Sequence, residues 1–182
     1  SPNKELWDES KPMLFLGEWC NLFKDRNYNK GLDIKTHSHH WVDKKKQEID
    51  YKLLNDIYEQ KLFDLSHSLS EIHNLKFDIR YWRIIIGPWL RFFIDAVYDR
   101  YESIRTAVDI NEIDSTFIFD YSIDEYVPND FIEFYDHLRF DDWNQIIFFE
   151  LIKEFNIPYK KISKINPINH KINTQKQLVK DK

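Results

Sequence analysis

Four groups able to carry protons lie within residues 37–43: His37, His39, His40 and Asp43. Imidazole titrates near neutral pH, so this spacing suits a general base or a metal ligand. His39 and Asp43 are four apart, and one helical turn would bring them to the same side. A zinc site takes three or four protein ligands. Cys20 is the single cysteine, so no cysteine pair completes such a set and no metal is expected. The plainer alternative is a loop of surface histidines with Trp41 packed down as its anchor.

Three further groupings have residue types suited to chemistry. Arg80, Arg83 and Arg91 lie in or beside the most apolar stretch, residues 81–105. Arginine seldom occupies such surroundings without a partner. Arg91 and Asp95, four apart, can pair on one helix face. Arg83 either finds an acid or emerges at a cleft, where its planar fork would hold a phosphate or carboxylate. Gly17-Glu18-Trp19-Cys20 follows the first apolar run, and in open α/β sheets ligands gather at the carboxyl ends of strands. There Glu18 is a base, an acceptor for a sugar hydroxyl, or merely a cap, while Cys20 reads as a small buried side chain. Asp141-Asp142-Trp143-Asn144 places acids where a helix N-terminus favours them.

The elements that must position these groups follow from periodicity. Met13–Leu16 is a short apolar run closed by Gly17 and reads as a buried strand. A long polar loop then carries the histidines, and loops of that length inside a compact domain are usually functional. Asp43 can cap a helix whose apolar stripe is Ile49, Leu53, Ile57, Leu62, Leu65, Leu69 and Ile72, with Asn74 as its stop. Gly87-Pro88 kinks or restarts the next helix; the alternative makes 83–86 a strand. Residues 115–120 read as a strand, 128–138 as a short helix, and Asp141 caps a helix ending near Phe155. Residues 159–162 are either a strand or the start of a linker. Leu53, Ile57, Leu65, Ile85, Trp89, Phe93 and Val97 are expected in one core. The expected fold class is α/β, helix-rich, with a small parallel sheet. Residues 1–12 read as a flexible leader, 13–162 as the domain, and 163–182 as a basic linker or truncated continuation.

Composition excludes several function classes. The chain has 182 residues, enough for one domain of ordinary size. Only 3 glycines argue against a glycine-rich phosphate cradle. The net charge of −5 hides an asymmetry: from Lys160 onward there are seven lysines and one aspartate, so the other residues hold 19 basic and 30 acidic side chains. A body this acidic cannot replace phosphate counterions along a duplex, so no nucleic-acid partner is expected. The basic end reads as a solvated linker or, more sharply, as a contact with an anionic membrane surface.

FLGEWC (15–20), HHWVD (39–43), DYKLLNDIYE (50–59), RYWRIIIGPWL (80–90), DR (99–100) and DDWN (141–144) together resemble the amino-terminal region of a family of bacterial transferases. That family is associated with O-antigen and other surface-polysaccharide loci. The resemblance spans residues 13–155, and RYWRIIIGPWL is its most specific part. It implies a glycosyltransferase-like enzyme of two domains, with this chain as the amino-terminal Rossmann-like half and the donor recognised mostly by a carboxyl-terminal domain.

The expected function is therefore transfer of a sugar from a nucleotide-activated donor to a glycan or lipid-linked acceptor. His39 or His40 would be the base, Arg83 the anion holder, and Trp41, Trp19 and Glu18 the lining of the acceptor cleft, with His39, His40 and Arg83 sharing one cleft. No cofactor beyond the nucleotide-sugar substrate is expected. The setting would be cytoplasmic, at or near the inner face of the membrane. The rival reading is a non-catalytic binding or scaffold domain of a polysaccharide assembly system; a hydrolase or nucleotidyl-type enzyme using the acidic pairs is the third.

Overall fold

The computed structural model describes residues 1–121 and 127–163. Most of the basic end, residues 164–182, lies outside the described residues, and with it the linker expectation.

The strands are short and come in two parallel pairs. β1 (Met13–Phe15) pairs with β2 (Ile34–Thr36), and β3 (Thr116–Phe119) with β4 (Tyr159–Ile162). The helix-rich α/β expectation holds, with one amendment: the single sheet is two, because β1 and β3 share no ladder. β2 was hidden in the polar loop, since three residues reading Ile-Lys-Thr are too short to show a period. Between β1 and β2 the chain makes short turns and one four-residue helix, α1 (Arg26–Asn29).

The helices follow their local signals closely. α2 (Lys44–His73) starts where the Asp43 carboxylate accepts the Lys45 N–H and stops at Asn74, whose φ of 51° is the left-handed cap. α3 (Ile79–Ile85) and α4 (Gly87–Ile110) meet at the Gly87-Pro88 break, so the strand alternative for 83–86 is wrong. A Cβ on Gly87 would stand 2.6 Å from the Tyr58 hydroxyl, which is why glycine is needed as α3 and α4 pass α2. α5 (Phe131–His137) is short. α6 (Asp141–Glu154) is capped at Phe140 rather than Asp141, which lies inside the first turn.

Two apolar clusters form where one core was expected. Leu62, Trp82 and Leu90 form the first, joined by Tyr58, Leu65, Leu69 and Trp89. Ile104, Ile118 and Ile152 form the second, between α4, β3 and α6. Leu53 and Ile85, expected inside, are 45% and 57% exposed. On α2 the buried positions are Asp50, Leu54, Leu62 and Ser66; Leu62 lies on the expected stripe, with Leu65 and Leu69 packed beside it, whereas Leu54 is buried in place of its neighbour Leu53. Ile57, Phe93 and Val97 line an apolar groove between α2 and α4.

The leader is not free along its length. Trp7 packs on Phe15 at 5.0 Å, Lys4 pairs with Asp25 at 2.9 Å, and the Ser1 hydroxyl donates to Asp141 at 2.6 Å. Among the described residues no helix is long and apolar enough to cross a membrane.

Candidate functional site

The histidine loop ends against the carboxyl-terminal half of α4. A short 3₁₀ turn at His40–Val42 precedes α2 and directs two imidazoles to one carboxylate. His39 Nε2 and His40 Nε2 donate to the same oxygen, Asp99 Oδ1, at 3.0 and 3.1 Å. The two rings stack at 4.4 Å. Arg100 Nη1 donates to the other oxygen, Asp99 Oδ2, at 2.9 Å, and its Nε and Nη2 are both held by Asn144 Oδ1. Burial pushes the Asp99 carboxyl up, but the His40 hydrogen bond and the charges around it outweigh that and hold it below its ordinary value.

The two histidines differ in what their second nitrogen meets. His39 Nδ1 accepts the backbone N–H of Trp41 at 3.1 Å, so the neutral ring carries its proton on Nε2 and offers it to Asp99. The His39 side chain is 40% exposed, whereas that of His40 is 0% exposed and its Nδ1 has no partner among the described residues. His37 is a third case. Its Nε2 bonds the Thr106 hydroxyl at 2.9 Å, and burial lowers its pKa, so it is a neutral structural histidine.

Beneath the histidines lies a buried ion network. Trp41 Nε1 donates to Asp50 Oδ2 at 2.9 Å, and the indole packs on His40 at 4.7 Å. Lys46 bridges Asp50 and Glu102 at 2.6 and 2.8 Å. Arg105 grips Glu102 with Nε and Nη2. Asp50 and Glu102 are each 4% exposed, yet both stay ionised: burial of Asp50 is outweighed by Lys46 and Trp41, and Arg105 dominates at Glu102. Burial pushes the Tyr98 phenol up to about 12.

Two groupings here have the composition of a metal set: His39, His40 and Asp99, and His40, Asp50 and Glu102. Their donor chemistry argues otherwise. Both Nε2 atoms of the first point protons at Asp99, and the Lys46 ammonium already bridges Asp50 and Glu102. They serve one another as hydrogen-bond and ion-pair partners.

His39, His40 and Trp41 are thus brought together, and Arg83 is not. Both guanidinium Nη atoms of Arg83 are taken by Glu59 at 2.7 Å. Gly87 to Asp99 spans about 18 Å at the helical rise of about 1.5 Å per residue, and Arg83 lies beyond the Gly87 end. Arg91 pairs with Asp95 at 3.2 Å as spaced, and Arg80 is exposed. Glu18 is exposed in the turn after β1; Trp19 is 42% exposed and lines a cavity apart from the histidines, and Cys20 is buried. Asp99, Arg100, Asp50 and Glu102 were missed as site residues, and Asn144 was singled out only within the run of acids at a helix N-terminus. The available signal was the pairing of DR at 99–100 with DDWN at 141–144, which carries no spacing rule of its own.

With this geometry in view, comparison with known proteins gives one clear result. A family model described as LIC12162 family transferase matches residues 1–182. No curated protein and no solved structure matches the chain. The whole described body, the histidine–aspartate cluster included, falls within the match, and the chain belongs to the LIC12162 family of transferases.

Proposed function

We propose that this chain is the amino-terminal, Rossmann-like half of a glycosyltransferase of bacterial surface-polysaccharide synthesis, and that His39 with Asp99 forms its base. The observation that carries this reading is the convergence of His39 and His40 on one ionised carboxylate oxygen. A carboxylate on one imidazole nitrogen stabilises the imidazolium that forms when the opposite nitrogen takes a proton. In His39 the opposite nitrogen is Nδ1, on a side chain open to solvent. An acceptor hydroxyl would replace the Trp41 N–H there and give its proton to Nδ1. The acceptor oxygen would then bond to the anomeric carbon of the donor while the bond to the departing nucleoside diphosphate breaks.

His40 has a different part in this scheme. Its Nδ1 is enclosed, so it is a positioning residue: it holds Asp99 and stacks under His39. The donor is a nucleotide-sugar and the acceptor a glycan or lipid-linked hydroxyl, reached at the inner face of the membrane, with a carboxyl-terminal domain supplying most donor contacts. No metal or further cofactor enters the scheme.

The test is turnover of nucleotide-sugars by the full-length enzyme. His39→Ala and Asp99→Asn should each lower kcat by about 10²–10⁴, the range for loss of a general base, with the Tm of His39→Ala nearly unchanged. Wild-type turnover in both variants would remove the catalytic role and favour a scaffold domain.

A further inference from the structure

Neighbouring residues of α6 serve two different places. Asn144 holds Arg100 in the histidine network, while Gln145 lines a cavity of about 480 Å³ between the two strand pairs. Gln145 is 8% exposed, and among the described residues its side-chain amide has no hydrogen-bond partner. Its amide, a double donor and an acceptor, is open to a ligand that enters the cavity.

Both strand pairs turn open edges to the same cavity. Met13 N–H bonds Asp33, and Phe15 C=O accepts from His37, so these residues face β2 and Leu14 faces the other way. Thr116 and Asp120 bond Pro158 and Ile162 in the same sense, which turns Phe117 away from β4. Among the described residues the N–H and C=O groups of Leu14 and Phe117 are thus spare donors and acceptors in the cavity lining. Trp7 and Trp19 add aromatic surface. Trp19 folds back so closely over Gly17 that a Cβ there would stand 1.9 Å from the indole, which leaves the ring's place set by a glycine. At the rim the carboxylates of Asp8, Glu112 and Asp114 outnumber the one cationic side chain, Lys11, so phosphate is disfavoured.

We propose that this cavity binds a neutral saccharide. A sugar ring lays its C–H face on an indole and presents hydroxyls that both donate and accept, which suits an unpaired amide flanked by free backbone groups of both kinds. The volume lies in the range of roughly 300–1,000 Å³ typical of small-ligand sites. The binding rests on the cavity's own lining and is independent of the function proposed above.

Saturation-transfer NMR on the full chain tests it, with the methyl glycosides of glucose, galactose, mannose, rhamnose and N-acetylglucosamine, and uridine as the contrasting planar ligand. At least one glycoside should bind, and Gln145→Leu should weaken it about tenfold, the size of one or two lost hydrogen bonds. Trp19→Ala, at a half-exposed position, should weaken it as well. His39→Ala should bind as wild type, so that lost turnover with retained binding separates the base from the cavity. Absence of binding by all five glycosides, wild-type binding in both cavity variants, or uridine binding in their place would overturn the proposal.

Discussion

α4 passes through two environments that obey different rules. Its first turns, around Leu90, pack with Leu62 and Trp82 in an apolar cluster, beside which Arg83 of α3 pairs with Glu59 at the surface and Arg91 with the partly buried Asp95. Its last turns bring Asp99, Arg100, Glu102, Arg105 and Thr106 inward, against His37, His39, His40, Lys46 and Asn144. The apolar end is held by burial, which is non-directional and forgives small rearrangements. The polar end is held by pairing, where each buried carboxylate meets a cation or N–H. A protein that needs a fixed imidazole gains from the second arrangement, because ion and hydrogen-bond geometry fixes orientation as packing alone does not.

The largest effect should come from the apolar end. Trp82→Ala removes a buried indole and its 2.8 Å hydrogen bond to Ser70, and should cost about 3–5 kcal/mol, read as a fall in the denaturant midpoint. The folded fraction should still turn over substrate as wild type. A parallel loss of kcat per folded molecule would mean that the two ends are not separable.

Next is Glu102→Gln. It keeps the shape but leaves Lys46 and Arg105 without their shared anion, and should cost about 1–3 kcal/mol by urea unfolding at pH 7. That difference should shrink with acid. The folded pKa values of Asp50, Asp99 and Glu102 lie below their unfolded ones. Their stabilisation is therefore fully present above the unfolded pKa of about 4 and is lost as pH falls through the folded values. A variant–wild-type gap unchanged between neutral and strongly acid conditions would show that ionisation does not hold the polar end.

The smallest effect should be at the exposed pair. Glu59→Gln breaks the Arg83 fork, whose side chains are 39% and 46% exposed, and should cost only about 0.2–1 kcal/mol, fading with salt. A cost as large as that of Glu102→Gln would erase the contrast between outer and inner pairs.

How much could be read in advance divides along the range of the interactions. The amino-acid sequence by itself determined the helix bounds at Asp43, Asn74 and Gly87-Pro88, because capping groups and proline act on backbone within one turn. It also determined β3, from a β-branched and aromatic run, and the i,i+4 pairing of Arg91 with Asp95. The tertiary structure decided that Leu54 turns inward beside Leu62 while Leu53 stays out, since which positions are buried depends on where α3 and α4 lie. It decided that Arg83 goes to Glu59 and not to the histidines, and that β2 exists, since a three-residue strand forms only against a partner. Above all it decided that Asp99 meets His39 across 60 residues of chain. Two groups that far apart carry no mutual spacing rule. They meet because the His40–Val42 turn and α4 are each placed by packing against α2, and that placement is a property of the folded whole.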